Sequence, residues 1–129
     1  MITQDQLEKY LQRGEEWGFR RETGDPEYLG WILVSKRKPP ILWPGEEANN
    51  PAHYTKIREE AERLSRTPYH VKIRELRRDV HESGEYEQPG DYRLVENFYF
   101  ESLRDVEQFL NGMNLTLEHI QPRILIDAP

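Results

Sequence analysis

Tyr28-Leu-Gly-Trp-Ile-Leu-Val-Ser-Lys-Arg-Lys-Pro-Pro-Ile-Leu-Trp-Pro44 is the stretch that decides the architecture. It holds an apolar run, a basic break with two prolines, and a second short apolar run. In a strand, successive side chains alternate between the two faces. Leu29, Trp31 and Leu33 would then share one face, and Tyr28, Ile32 and Val34 the other. A strand apolar on both faces is one covered on both sides, so this segment belongs in the middle of the fold. Ile41-Leu42-Trp43, flanked by prolines, reads as a short return strand at an edge.

Upstream of that segment, Thr3 and Gln6 have the spacing of a capping box. Leu7, Tyr10 and Leu11 line one face of the helix that follows, and Gly14 is placed to end it. Trp17 and Phe19 indicate a short strand, and Thr23-Gly-Asp-Pro26 a turn. Downstream, Asn50 followed by Pro51 gives the clearest helix start in the chain. Tyr54, Ile57, Ala61 and Leu64 recur at helical spacing and are expected to face the core.

Residues 69–82 fit two patterns. Tyr69, Ile73, Leu76 and Val80 match a helical stripe, whereas Val71 and Ile73 alternate as in a strand. Their surroundings favour the strand, continued as a polar hairpin arm. The turn-rich stretch Ser83–Asp91 follows it, and Tyr92–Phe100 is a strong β run that needs a neighbour. Ser102 then caps a last helix with Leu103, Val106, Phe109 and Leu110 facing inward, and Gly112 ends it. Leu115 and Leu117 are expected to open one more strand, and Ile124–Ile126 forms a final apolar triplet.

Laid end to end, a strand-turn-strand-helix order appears over 28–65 and again over 69–112. Each amphipathic helix can cover the apolar face of its own hairpin. The expectation is a single α+β domain over 1–129. Its sheet is mainly antiparallel, with helices packed largely on one face.

Composition narrows the function classes. The formal net charge of −6 disfavours general attraction to nucleic acid, which needs a local excess of Lys and Arg. The chain has no cysteine, which excludes disulfides, thiolate catalysis and Cys-based zinc sites. The first residues lack the pattern of a signal peptide, and no run approaches the ~20 apolar residues of a membrane helix. The expected location is the cytoplasm, away from any membrane.

Catalytic signatures are missing. His53, His70, His81 and His119 show no metal-ligand spacing, so no metal or other cofactor is expected. None of Ser35, Ser65, Ser83 and Ser102 sits in a nucleophile elbow, and no glycine-rich phosphate loop occurs. Among the many carboxylates, Glu96 shares a strand face with Leu94 and Phe98 and is the candidate for an inward acid with a perturbed pKa.

Two surfaces remain. Glu85, Tyr86, Glu87 and Tyr92, with Glu82 and Asp91, form an acidic and aromatic loop of the composition found at protein interfaces. Trp43 at the exposed end of the first hairpin is the companion contact. The leading expectation is therefore a small non-catalytic module that binds another protein as adaptor, accessory subunit or inhibitor. The alternative is a nucleic-acid-binding accessory using the tip Lys36-Arg37-Lys38 together with Arg74, Arg77 and Arg78, provided all six share one side. Basic residues at a strand end also serve simply to discourage edge pairing. A third reading is a small enzyme with a carboxylate-centred pocket, acting through Glu96, Tyr99 and an arginine.

Overall fold

The computed structural model describes residues 1–38 and 50–129. Its centre is β2 (Tyr28–Lys36), whose six residues Leu29–Val34 are all buried and alternate between two covered faces. On one side β2 pairs antiparallel with β1 (Trp17–Arg21), which pairs in turn with the two-residue β5 (Gln121–Pro122). On the other side it pairs with β3 (Tyr69–Arg77), and β3 with β4 (Tyr92–Phe100). The five strands run in the order β4-β3-β2-β1-β5, all antiparallel. The central position expected for the Tyr28 run is borne out.

Register fixes what each face carries. Ile32 lies between Phe19 and Ile73, and Val34 between Trp17 and Val71. These residues make a first core with Leu7 and Leu11 of α1 (Gln4–Gln12) and Leu103, Val106 and Leu110 of α4 (Leu103–Asn111). Both helices start as the sequence dictates. The Thr3 hydroxyl accepts from the Gln6 N–H while the Gln6 side chain accepts from the Thr3 N–H, and Ser102 accepts from the Asp105 N–H. Gly14, at φ +88°, takes the left-handed conformation that closes α1. Each fully buried leucine on these helices contributes on the order of 2 kcal/mol of burial.

The opposite face holds a second core of Leu29, Trp31, Leu33, Leu76, Val80 and Ile126. Trp31 is completely buried, and its indole N–H donates to the Ile126 carbonyl at 2.8 Å. The cover comes from the short helix α3 (Arg78–Ser83) and the 3-10 turn Arg123–Ile126.

Three expectations need correction. The segment after β3 does not extend as a hairpin arm; residues 78–83 coil into α3. Asp79 accepts from the Val80 N–H at its start, Gly84 closes it at φ +71°, and the turn drops Val80 onto the Trp31 cluster. No strand begins at Leu115. Leu117 sits in the 3-10 turn Leu117–His119 and is buried in the first core. Asn114 at φ +61° reverses the chain there, and Pro122 has no N–H with which to lengthen β5. Finally, Tyr54, Ile57, Ala61 and Leu64 of α2 (Pro51–Arg66) are only half-buried and join neither core; Leu64 lies instead beside Arg37 and Tyr99 at the end of the sheet. Its start is as expected, with Asn50 accepting from the His53 N–H ahead of Pro51. The proposed return strand Ile41–Trp43 lies outside the described residues.

At one end of the sheet α1 is stitched to the strands by a polar cluster. Glu8 receives Lys36 Nζ at 2.6 Å and the Tyr69 hydroxyl, and Lys36 also lies over the Tyr69 ring. Burial alone would raise the Glu8 pKa, but the bonds from Lys36 and Tyr69 together hold it below the ordinary value of 4.5. The Tyr69 phenol is pushed up by burial and by the adjacent carboxylate. A carboxylate depressed in the folded state contributes stability that is present above its unfolded pKa and lost as pH falls through the folded one. Glu8→Gln is therefore expected to lose less stability than the parent chain as pH falls below 4.5. Urea titrations of parent and variant at pH 7 and about pH 3 measure this. Equal losses in both proteins would refute it.

Candidate functional site

The acidic and aromatic loop is built on two fixed ends. At its start, Ser83 Oγ donates to the Val80 carbonyl at 2.9 Å and accepts from the Glu85 N–H at 3.3 Å. At its end, the Asp91 carboxylate accepts from the Gln88 N–H at 2.8 Å, tightening the 3-10 turn Pro89–Asp91. Tyr92 leaves this turn half-buried against the Trp31 cluster and donates its hydroxyl to Glu87. Burial and the Glu87 carboxylate push the Tyr92 phenol up to about 12, so it remains a donor throughout the neutral range. Between these anchors Tyr86 projects with 94% of its surface exposed. Gly84, Glu85, Tyr86 and Glu87 border a recess of about 370 Å³ carrying two carboxylates and a phenol ring.

Four of the five residues assigned to partner binding are thus contiguous: Glu85, Tyr86 and Glu87 at the crest, Tyr92 at the base. Trp43 lies outside the described residues. The remaining acids are partly answered by cations, with Arg78 at 3.4 Å from Glu82 and Arg77 at 3.8 Å from Asp91.

The basic set does not converge. Lys36 points to the first face and is bound to Glu8. Arg37, one position later, points to the second face, donates to the Thr67 carbonyl at 2.7 Å and lies over the Tyr99 ring at 4.1 Å. Lys38 is exposed. Arg77 pairs with Tyr28, at the far end of β3 from the Lys36–Tyr69 pair, roughly 25 Å away at strand spacing. Arg77 is bonded to Asp79 at 2.7 Å, and Arg78 to the Pro26 carbonyl at 2.7 Å. Arg74 sits mid-sheet on the second face, over the Tyr92 ring.

The buried acid is Glu75, not Glu96. Glu96 is exposed on the outer strand opposite Ile73, so the enzyme reading loses its inward carboxylate. Glu75 is 7% exposed, and Arg93 donates to it from two nitrogens, at 2.8 Å and 3.2 Å. Arg93 also reaches Asp25 at 3.0 Å and lies over the Tyr28 ring. That closed network ties β4 to the β1–β2 turn. Its sequence signal was the parity of Glu75 with Val71 and Ile73; its partner eighteen positions away in the chain gave none.

The histidines are separate. His70 stacks on Tyr99 at 4.7 Å with Nε2 beside Asn97 Oδ1, and burial together with nearby Lys72 and Arg37 pushes its pKa down. His81 packs on Trp31, with Nε2 at 3.0 Å from Asp127. Among the described residues, no three His, Asp or Glu side chains are grouped to hold a metal ion. An open groove of about 570 Å³ beside the β1–β2 turn is bordered by Arg20, Arg21, Asp25, Tyr28 and Arg78. Asp25 and Arg78 at its border are bonded within the protein, to Arg93 and to the Pro26 carbonyl.

Compared with known family models, curated proteins and solved structures, the chain matches none. Among the described residues, no helix is long and apolar enough to cross a membrane.

Proposed function

We propose that this protein is a small non-catalytic protein-binding module whose docking element is the loop 82–92, and that its partner presents a basic surface. The observation carrying this reading is Tyr86, fully presented between two carboxylates on a loop anchored at both ends. A preformed loop loses little conformational freedom on binding, which favours affinity. Tyrosine at the centre of a contact is a common hot spot, and the recess beside it has the charge to take a Lys or Arg head. The cysteine-free composition suits a reducing compartment, and the cytoplasm is the proposed setting.

Tyr86→Ala and Glu85→Lys are the test, used beside the parent chain in affinity purification from the native host. Tyr86 is so exposed that its removal is expected to change stability by less than about 0.5 kcal/mol. A protein retained by the parent should be lost or weakened about tenfold or more by either variant. Its retention should also fall as salt rises. Identical sets of captured proteins from all three chains would refute the reading.

A further inference from the structure

The groove of about 570 Å³ beside the β1–β2 turn carries positive charge that the docking loop does not use. It lies at the Tyr28 end of β2, roughly 25 Å from the Lys36 end at strand spacing. Three arginines border it, Arg20, Arg21 and Arg78, against the carboxylates of Glu22 and Asp25. Asp25 is already answered, since it accepts from Arg93 at 3.0 Å and from the Glu27 N–H at 3.0 Å. In a chain of net charge −6, this groove is locally cationic. Its walls are also held in place. Arg20 is the cross-strand neighbour of Trp31, and its guanidinium lies 5.5 Å from the centre of that buried ring. Arg78 reaches in from the start of α3. Its Nε donates to the Pro26 carbonyl at 2.7 Å and its Nη1 lies 3.4 Å from Glu82, so Nη2 is the nitrogen left for a ligand. The turn between them is braced by Thr23, whose Oγ1 donates to the Asp25 carbonyl at 2.8 Å and accepts from the Asp25 N–H at 3.2 Å.

The geometry points to an anion site in which Arg20, from β1, and Arg78, from α3, grip a phosphate group, while Arg21 adds charge at the rim. A guanidinium presents its N–H groups in a planar fork that matches phosphate oxygens two at a time. The charge count selects phosphate over a single carboxylate. With Asp25 answered by Arg93, three guanidinium groups face the one carboxylate of Glu22. A phosphate monoester, at about −1.5 to −2 near pH 7, matches that excess. The Arg78–Glu82 pair is solvent-exposed at both ends, and such pairs are too weak to withhold Arg78 from a dianion. Pro26 and Leu29 give the groove an apolar side against which the organic part of a small phosphorylated molecule can rest. The volume lies within the range of small-molecule sites. Glu85 and Tyr86 border a different recess, so this site stands or falls independently of the docking loop.

NMR titration of the isotope-labelled chain with inorganic phosphate and with phenyl phosphate, against acetate as control, tests the site. Saturable shifts should gather at residues 20–30 and 78, with acetate binding about tenfold more weakly or worse. Tighter binding of phenyl phosphate assigns the site to a phosphorylated small molecule, and equal binding assigns it to free phosphate; either supports the inference. Arg20→Gln should weaken phosphate binding about tenfold or more, and Arg20→Lys nearly as much, because an ammonium keeps the charge and loses the fork. Arg13→Gln, at the end of α1 over the Tyr10 ring, should match the parent. In the parent chain itself, phenylglyoxal should label Arg20 and Arg78 more slowly when phenyl phosphate is present, a readout that needs no variant to fold. Shifts that never saturate, an Arg20→Lys variant equal to the parent, equal effects of Arg20→Gln and Arg13→Gln, or labelling without protection would each mean an adventitious ion only, and overturn the inference.

Discussion

Alanine in place of Trp31 is expected to destabilise the protein by about 3–5 kcal/mol, a large share of the stability of a domain this size. The residue is completely enclosed, and the ring sits where three chain segments meet: β2, α3 through Val80 and His81, and the turn Arg123–Ile126. Truncation opens a cavity that backbone on a central strand cannot collapse to fill. It also strands the Ile126 carbonyl, which accepts the indole N–H at 2.8 Å. Trp31→Phe separates the two effects. It keeps most of the ring volume and removes the donor, so its smaller cost, about 1–3 kcal/mol, reports the orphaned carbonyl and the lost rim of the indole. Urea denaturation measures both values. Hydrogen exchange should additionally show residues 123–129 opening first in either variant. An alanine variant within about 1 kcal/mol of the parent would mean that the second face is not the closed core described above.

The same residue shows which parts of the fold were readable from sequence. Period-two alternation is a property of the strand itself, so Trp31 and Leu33 against Ile32 and Val34 could be sorted onto two faces with no knowledge of what covers them. Helix caps are equally local, and Thr3, Asn50 and Ser102 all cap as expected. Failures came where the outcome depends on competition between distant segments. Val80 follows Leu76 by four positions, a spacing that puts the two on one side whether the chain coils or extends. Only the Trp31 surface waiting below decides for the coil. The stripe of α2 has the spacing of a core-facing helix, yet its residues join neither core, since the first face takes its cover from α1 and α4.

Among candidate site residues, the basic run shows the limit of reading charge by proximity. Lys36 and Arg37 are adjacent in sequence, and for that very reason face opposite sides of the sheet. The acidic loop was legible because a turn has no such alternation. Neighbouring residues there stay neighbours in space, as Glu85, Tyr86 and Glu87 do. The place of β4 in the sheet could not be identified beforehand, since strand order is fixed by pairing and not by composition.

Gly18→Ala is expected to be as damaging as the loss of Trp31, through the opposite defect. A Cβ at residue 18 would lie 1.9 Å from the Ile32 carbonyl oxygen, 2.9 Å from its carbon and 3.0 Å from the Leu33 Cα. All three atoms are backbone of the central strand, so no rotamer change relieves the clash. Strand β1 must move away from β2, and that displacement has consequences on both flanks. Phe19 and Trp17 are drawn from their places beside the first core, and β5 loses the only strand partner it has among the described residues. The expected cost lies at or beyond the upper end of overpacking defects, about 3 kcal/mol or more. Gly90→Ala is the control, since that position has nothing within 4 Å and no left-handed backbone; it should stay within about 0.5 kcal/mol of the parent. Gly30→Ala should fall between the two, because its Cβ would meet the Arg21 carbonyl at 2.8 Å and the movable Thr23 methyl at 3.0 Å. Thermal and urea denaturation of the three variants would rank them. If Gly18→Ala proved no worse than Gly90→Ala, the close approach of β1 to β2 could not be as the structure has it, and the pairing that carries β5 and the cover of Trp31 would have to be redrawn.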